Sequence, residues 1–293
     1  MSRGKIDRKM MRAVITGATL VTVTAATLVA ETHKEFHFNV GPKAGISVNN
    51  PYGSISVRPA TGNVVTVNAV YSDKVQIENN LVGNRVELQS RLMEGADAQS
   101  GKVEYDILVP ADASVTLHSS NGVLRAEKLR GDVTLEGADA TVDVRDISAA
   151  HVHVKTLNGP VKLTNVQDGH VEVDSLSGTV TLTSVVGPLV QVISTSGEIV
   201  YVGDFGDRGL YRLTSHSGDI DVTVPETTSA DVNAQTIRGE VHDDIHLQPT
   251  QRSSFVTREG NALLGSIGRA AVSSTVIMRS FSGKIHLRKR SAK

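Results

Sequence analysis

Residues 133–199 read VTLEGADAT VDVRDISAAH VHVKTLNGP VKLTNVQDGH VEVDSLSGT VTLTSVVGPL VQVISTSGEI, and this stretch decides the fold. Each of the seven blocks begins with an apolar-x-apolar triplet. The blocks start at Val133, Val142, Val152, Val161, Val171, Val180 and Val190, so steps of nine and ten residues alternate and two steps make 19 residues. A fixed period of this kind indicates units that stack on one another to share a continuous core.

Alternation of apolar and polar residues inside each block is the period of a β-strand with one buried face. Gly, Asn, Asp or Ser between the triplets supplies the turns. The register predicts inward side chains at Val152, Val154, Val161, Leu163, Val171, Val173, Val180 and Leu182. It predicts outward side chains at His151, His153, Lys155, Lys162, Glu172 and Thr181. A further apolar residue follows many triplets, and we expect it to point inward at a corner: Ile147, Leu157, Val166, Leu176 and Val185.

Ser-Gly and Asn-Gly turns extend the same register over most of the chain. They lie at Gly122, Gly159, Gly178, Gly197, Gly218 and Gly283, with Gly53 and Gly239 as looser members. Apolar residues stand seven and five positions before Gly178 and two and four after it, and the pattern recurs at Gly159, Gly283 and Gly53. The prediction is an all-β protein, a β-solenoid or β-helix-like stack with about 19 residues per two strands.

Interruptions of the rhythm divide the chain into four segments. Residues 1–30 form a signal peptide or an N-terminal membrane anchor, and 31–105 form an N-terminal β-region with longer loops. Residues 106–247 are the regular repeat. Residues 248–293 comprise an irregular loop and one closing C-terminal strand, Thr275 to Leu287, with a basic tail. Terminal units of solenoids are often atypical because they cap the open end of the core.

Composition limits the class of protein. Hydrophobic residues make up 39% of the 293 residues and aromatic residues only 3%, so Val, Leu, Ile and Ala must build the core. Lys and Arg number 30 against 31 Asp and Glu, which gives a net charge of -1 and no electrostatic footprint for nucleic acid. The absence of cysteine excludes disulfides and thiolate metal sites, and it suits an oxidising compartment.

The N-terminal segment predicts export. Arg3, Lys5, Arg8, Lys9 and Arg12 precede an uncharged stretch of 18 residues, 13–30, which contains five threonines. A basic region followed by a short apolar stretch is typical of a Sec-type signal peptide, with the mature chain beginning near Glu31. The alternatives are an uncleaved anchor that touches the membrane through residues 13–30 and a buried N-terminal helix of a cytosolic protein.

Histidines are the strongest candidates for a metal site. His242, Asp244 and His246 share one face of an extended chain, next to Asp243, and could ligate a divalent ion. Such groups are more often a solvated strand face, and we assign no metal or cofactor. His151 and His153 lie two apart and point to solvent. His216 occupies the slot that holds Leu157, Leu176, Ile237 and Phe281 in other units, and we interpret it as a corner residue.

Carboxylates raise the alternative of a carbohydrate-active parallel β-helix enzyme, because such enzymes converge several Asp on one face. Asp219 and Asp221 share a strand face, and Asp243 and Asp244 follow two strands later. Bare turns of two to four residues leave little material for a catalytic cleft, so we expect no catalytic residues. The stretch from Gly203 to Gly206 lacks the helix of a phosphate-binding loop. The tyrosines do not form a glycan platform, since they are scattered at Tyr52, Tyr71, Tyr105, Tyr201 and Tyr211.

Two motifs resemble those of a known family. One is Val-Pro-x-x-x-Ser before a Gly turn, at Val109 to Ser114 and again at Val224 to Ser229. The other is the closing sequence SFSGKIHLRK, at 280–289. With the repeat, they make residues 36–290 similar to the putative-adhesin β-strand-repeat family, a domain of bacterial envelope proteins. The resemblance implies a β-helix-like stack and an envelope location, and it transfers no catalytic residue.

Together these features predict an exported, non-catalytic protein in the periplasm, at the cell surface or outside the cell. It would act as a structural or adhesion-type binding surface toward an envelope or cell-surface partner, either protein or glycan, or by self-association. A membrane-tethered envelope-stress accessory protein is a further alternative. We expect specificity to reside in the two long loops, Met93 to Lys102 and Pro249 to Gly268.

Overall fold

The computed structural model describes residues 31–245, 247–249, 257–268 and 274–290. Every regular element in these ranges is a β-strand, and the strands form two sheets. Sheet A has 12 strands and sheet B has 13. Their inner faces enclose one hydrophobic core that runs along the whole stack. The predicted all-β solenoid is therefore confirmed. The signal or anchor predicted at residues 1–30 lies outside the described residues.

The first seven strands form the N-terminal end of the stack. Their bounds are β1 Thr32–Asn39, β2 Gly45–Asn50, β3 Ile55–Ala60, β4 Val64–Tyr71, β5 Val75–Val82, β6 Arg85–Leu92 and β7 Val103–Pro110. The antiparallel hairpin of β5 and β6 closes sheet B, and β1 pairs with β4 at the edge of sheet A. The chain thus covers the open end of its core with antiparallel strands, which a regular coil cannot do for itself.

The next twelve strands are the regular coils, and they alternate between the two sheets. In chain order they are β8 Ser114–Ser119, β9 Val123–Glu127, β10 Val133–Gly137, β11 Thr141–Ser148, β12 His151–Thr156, β13 Val161–Gln167, β14 His170–Ser175, β15 Val180–Val186, β16 Leu189–Ser194, β17 Ile199–Val202, β18 Leu210–Ser215 and β19 Ile220–Val224. Val133, Val152, Val171 and Val190 are register partners on parallel strands, so one coil takes 19 residues as predicted.

The inward and outward faces follow the predicted register. All eight side chains predicted to face the core are buried, from Val152 to Leu182. The six predicted outward positions are exposed or partly exposed. The aromatic residues fill the core where one coil lengthens: Val190 pairs with Tyr211, and the intervening loop sends Phe205 inward between Tyr201 and Tyr211.

The corner prediction holds on one side of the solenoid only. Ile147, Val166 and Val185 are buried because the residue before each adopts a left-handed conformation (Asp146 φ 54, Asn165 φ 55, Ser184 φ 53), which turns the next side chain inward. The prediction is wrong for Leu157 and Leu176, each of which is 48% exposed. There the preceding Thr156 and Ser175 already point inward, so ordinary alternation directs the leucines to solvent.

Buried hydroxyls and glycines build the corner that exposes the leucines. Ser175 Oγ donates to the carbonyl oxygen of Gly178 at 2.9 Å, and Ser194 does the same to Gly197 at 2.9 Å. A Cβ on Gly178 would lie 2.0 Å from the carbonyl oxygen of Gly159, and one on Gly197 would lie 2.2 Å from that of Gly178. The corner therefore stacks backbone on backbone, a packing that a side chain at these positions would block.

The C-terminal strands return into the stack. Their bounds are β20 Ala230–Thr236, β21 Val241–Asp243, β22 Thr257–Glu259, β23 Ala262–Ile267, β24 Ser274–Ser280 and β25 Ile285–Lys289. The single closing strand predicted from Thr275 to Leu287 is wrong: β24 lies in sheet B between β18 and β20, and β25 lies in sheet A between β19 and β21. The last coil in sequence is thus inserted, because β20 and β21 leave room for it.

The irregular loop predicted after residue 248 is also corrected. Strands β22 and β23 form an antiparallel hairpin that pairs with β20 at the edge of sheet B. The alternation in β23 places Leu263, Gly265 and Ile267 on one face. Gly265 interrupts the apolar pattern there, because its missing side chain makes room for Leu247.

Candidate binding surface

An apolar row runs along the outside of the glycine corner in sheet B. Each member is the residue after a buried Ser or Thr, and the members of neighbouring strands are linked by backbone hydrogen bonds. In spatial order the row consists of Leu157, Leu176, Thr195, His216, Phe281 and Ile237. The predicted equivalence of His216 with the hydrophobic members is confirmed. Exposed apolar residues in a contiguous row are typical of an interaction surface.

The row deepens into a groove at its C-terminal end. The groove has a volume of about 480 Å³. Its walls come from β16, β18, β24 and β20, with Ile193 (44% exposed) at one side and Ile237 (64% exposed) at the other. Because β24 inserts between β18 and β20, the groove combines residues 193 and 281, which lie far apart in sequence. Chain order alone does not predict this juxtaposition.

Phe281 forms the centre of the groove but is not an open aromatic platform. The ring of His216 stacks on it from β18, with centroids 4.9 Å apart and an interplanar angle of 6°. The guanidinium of Arg238, which follows β20, lies 4.9 Å from the ring centroid on the side of the other neighbouring strand. Both faces of the ring are therefore covered, which disfavours stacking of a sugar on Phe281.

Basic groups border the groove. Arg279 lines it, and its Nη1 donates to the carbonyl oxygen of Asn233 at 2.9 Å and to Asn233 Oδ1 at 3.1 Å. Burial lowers the pKa of Arg279 from its ordinary value. The charged or titratable residues that line the groove are Arg279 and His216, and neither is acidic. An apolar ligand that carries a carboxylate would fit this environment.

The acidic residues considered for catalysis are engaged in structural contacts. Asp219 Oδ1 accepts the backbone N–H of Lys284 at 2.7 Å. Asp221 Oδ1 lies 2.5 Å from Arg288 Nη2 and 3.8 Å from His286 Nδ1. Both carboxylates thus tie β19 to the inserted strand β25, a role that follows from the register of these strands.

The proposed His-Asp-His triplet is divided between different partners. His242 Nε2 lies 3.0 Å from Glu240 Oε2, and Asp244 Oδ2 lies 3.3 Å from His286 Nε2. Asp243 has an interaction of its own, and His246 lies outside the described residues. Over the described part of the chain, three or more potential ligands are nowhere grouped in a way that could hold a metal ion. His151 and His153 point outward as predicted, and His151 meets His170, which sequence reasoning did not single out.

The remaining candidates serve the core or the loops. Tyr105, Tyr201 and Tyr211 are buried. Burial raises the pKa of Tyr105 and of Tyr211 to about 12 each, and it raises that of Tyr201 as well. The segment from Gly203 to Gly206 carries Phe205 into the core. Tyr52 and Tyr71 are partly exposed, and Tyr71 contributes to the cavity described next.

The loop from Met93 to Lys102 is compact and borders a cavity of about 360 Å³. Asp97 Oδ1 accepts the backbone N–H of Ser100 at 2.7 Å and that of Gln99 at 3.0 Å. Hydrogen bonds from Ser100 hold the pKa of Asp97 below its ordinary value. The cavity also takes in Tyr71 and Glu104, but the ordered hydrogen bonds of the loop account for its polar groups. Of the other long loop, residues 250–256 lie outside the description.

Strands that alternate between two stacked sheets, with a corner of glycines and buried hydroxyls, define a two-sheeted β-solenoid. The chain belongs to the Toastrack DUF4097 family, whose model matches residues 44–288. The predicted resemblance to a β-strand-repeat family is thereby confirmed. In this family's Val-Pro-x-x-x-Ser motif, the Pro110 carbonyl accepts from Ala113 at 3.0 Å and the Pro225 carbonyl from Thr228 at 3.3 Å. Both copies make the turn from sheet A to sheet B.

Two solved structures are similar to this chain. A putative adhesin from Bacteroides fragilis NCTC 9343 is 11% identical, with a TM-score of 0.51 over 88% of this chain and 98% of that one. A putative cell adhesion protein from Clostridium sporogenes ATCC 15579 is 14% identical, with a TM-score of 0.34 over 88% of this chain and 100% of that one. The comparison with curated proteins gave no match. The first of these structures supports the fold.

No helix in the described ranges is long and apolar enough to cross a membrane.

Proposed function

We propose that this protein is an exported, non-catalytic binding protein of the bacterial envelope that presents the groove around Phe281 to a protein partner. The groove carries this proposal: apolar side chains at Ile193 and Ile237 are left exposed beside Arg279, on a face that the fold itself does not need for stability. The adhesin names of the two similar structures agree with a role at the cell surface.

The chemistry of the groove favours a protein segment over a glycan. A sugar-binding site normally offers an open aromatic face, and the faces of Phe281 are occupied by His216 and Arg238. An extended segment with apolar side chains and a carboxylate could instead fill the groove and pair with Arg279. The carbohydrate-active alternative is less well supported, because Asp219 and Asp221 are already bound by Lys284, Arg288 and His286.

Binding should depend on Ile237. We expect Ile237→Glu to weaken binding to an immobilised envelope fraction at least about tenfold, because it places a charge in the apolar wall and removes a contact side chain. Surface plasmon resonance measures this effect. Val82→Glu is the matched control, since Val82 is 63% exposed at the tip of the β5–β6 hairpin, far along the stack.

Chemical treatment of the fraction separates the candidate partners. Protease digestion of the envelope fraction should abolish binding, whereas periodate oxidation of its glycans should leave it unchanged. The opposite pattern would show a glycan partner and contradict the proposal. Equal weakening by Ile237→Glu and Val82→Glu would also contradict it, because the groove would then have no special role.

Export has its own test. Edman sequencing of the protein recovered from the envelope fraction should give a mature chain that begins near Glu31, because the basic segment and the uncharged residues 13–30 form a Sec-type signal. Intact Met1 in a soluble cytosolic fraction would contradict export. Intact Met1 in the membrane fraction would instead support the membrane-tethered alternative.

A further inference from the structure

Two histidines from adjacent coils meet on the outer face of sheet B, away from the groove. His151 on β12 and His170 on β14 are register partners. His151 Nε2 and His170 Nδ1 lie 3.0 Å apart, and the ring centroids are 4.8 Å apart. Both residues are exposed. The next two coils carry Leu189 and Leu210 at the same position, so the stacking itself does not require histidine there.

The separation of the two nitrogens matches the bite of a metal chelate. Imidazole nitrogens bind Zn²⁺ at about 2.0 to 2.1 Å, and two such bonds at a tetrahedral angle place the nitrogens roughly 3.3 Å apart. The observed 3.0 Å differs by a few tenths of an ångström, which a small rotation of either exposed ring provides. A hydrogen-bonded pair of neutral imidazoles is thus already close to the geometry that a cation needs.

The surroundings support the same arrangement. Asp132 Oδ1 accepts the backbone N–H of His151 at 3.0 Å and lies 3.7 Å from its Nδ1, the ring nitrogen that faces away from His170. Carboxylates in this position orient metal-bound histidines. His153 and Glu172 form the next register pair on the same face, 3.6 Å apart, and are further oxygen and nitrogen donors.

We propose that His151 and His170 form a two-histidine chelate for a divalent late transition-metal ion such as Zn²⁺, with its other positions filled by water or by the neighbouring donors. Such a site bridges β12 and β14, so the bound ion links two coils of the solenoid. The site is open, which agrees with the lack of any preassembled three-ligand group in the described residues. It is independent of the groove and of the proposed protein partner.

Isothermal titration of the mature chain with ZnCl₂, without a histidine tag, tests the proposal. We expect His170→Leu to bind one equivalent of Zn²⁺ fewer than the wild type, and His151→Leu to do the same. Leucine fits the position, since Leu189 and Leu210 occupy it in other coils. His118→Ala is the matched control: His118 lies on the same sheet face but neighbours Glu136, at 3.7 Å, instead of a histidine.

Two further readouts keep a folding defect apart from a lost ligand. Without metal, the circular dichroism spectrum and melting temperature of His170→Leu should match those of the wild type. With excess Zn²⁺, the melting temperature of the wild type should rise and that of His170→Leu should rise less, because only a bound ligand stabilises the fold. Absence of Zn²⁺ binding by the wild type, or unchanged stoichiometry and affinity in both leucine variants, would overturn the proposal.

Discussion

Val173→Asp should abolish cooperative folding of the stack. Val173 lies in the inward row of β14, between Val154 on β12 and Val192 on β16, and is 1% exposed. Aspartate there would place a carboxylate among apolar side chains without a partner, at a cost of about 4 kcal/mol or more. Because each coil supports its neighbours, the damage should spread along the solenoid. Urea denaturation followed by circular dichroism at the β-sheet minimum measures the loss.

The neighbouring residue provides the control. Glu172 points outward from the same strand, and its side chain is half exposed beside His153. Glu172→Lys should change the free energy of unfolding by no more than about 0.5 kcal/mol, because exposed ion pairs contribute little. Comparable losses for the two variants would refute the register, since a one-residue shift exchanges the two faces of a strand.

Gly178→Ala should destabilise the protein by about 3 kcal/mol, an unusually large effect for one methyl group. The added Cβ would lie 2.0 Å from the carbonyl oxygen of Gly159 and 2.7 Å from its carbonyl carbon. These atoms are backbone, so no flexible side chain can move aside. Separation of the two coils would also strain the hydrogen bond from Ser175 to the Gly178 carbonyl. Thermal unfolding of purified protein measures the effect.

Gly260→Ala is the matched control for the glycine corner. Gly260 lies in the β22–β23 turn, and a Cβ there would meet nothing within 4 Å. The same substitution should therefore change the melting temperature little. A Gly178→Ala variant as stable as Gly260→Ala would show that the corner tolerates side chains and that the coils are not stacked as described.

The sequence predicts the solenoid because its period is local and repeated. The rows at Val152 and Val161 alternate in every coil, so the strand faces and the 19-residue coil follow from them. The same local reasoning fails at Leu157. An apolar residue three positions after a triplet is buried when a left-handed residue precedes it, as at Ile147, and exposed when a buried Ser or Thr precedes it. Hydrophobicity alone does not separate the two cases.

The order of the coils and the groove could not be predicted, because they depend on contacts between distant residues. Nothing local to β24 shows that it pairs with both β18 and β20. The groove needs this insertion to bring Phe281 beside His216. One signal was available: the pattern Ser/Thr-apolar-x-Gly at Thr156, Ser175 and Ser280 marks an inward hydroxyl followed by an outward apolar residue.

The groove as the binding surface is the central claim, and site-specific photo-crosslinking tests it most directly. A benzophenone amino acid is placed at Ile237 in one variant and at Val82 in the other, and cells that produce each variant are irradiated. We predict a covalent adduct with a protein at position 237 and none at 82, because Ile237 lines the groove while Val82 lies at the hairpin tip. Equal crosslinking at both positions, or no adduct at 237, would contradict the account.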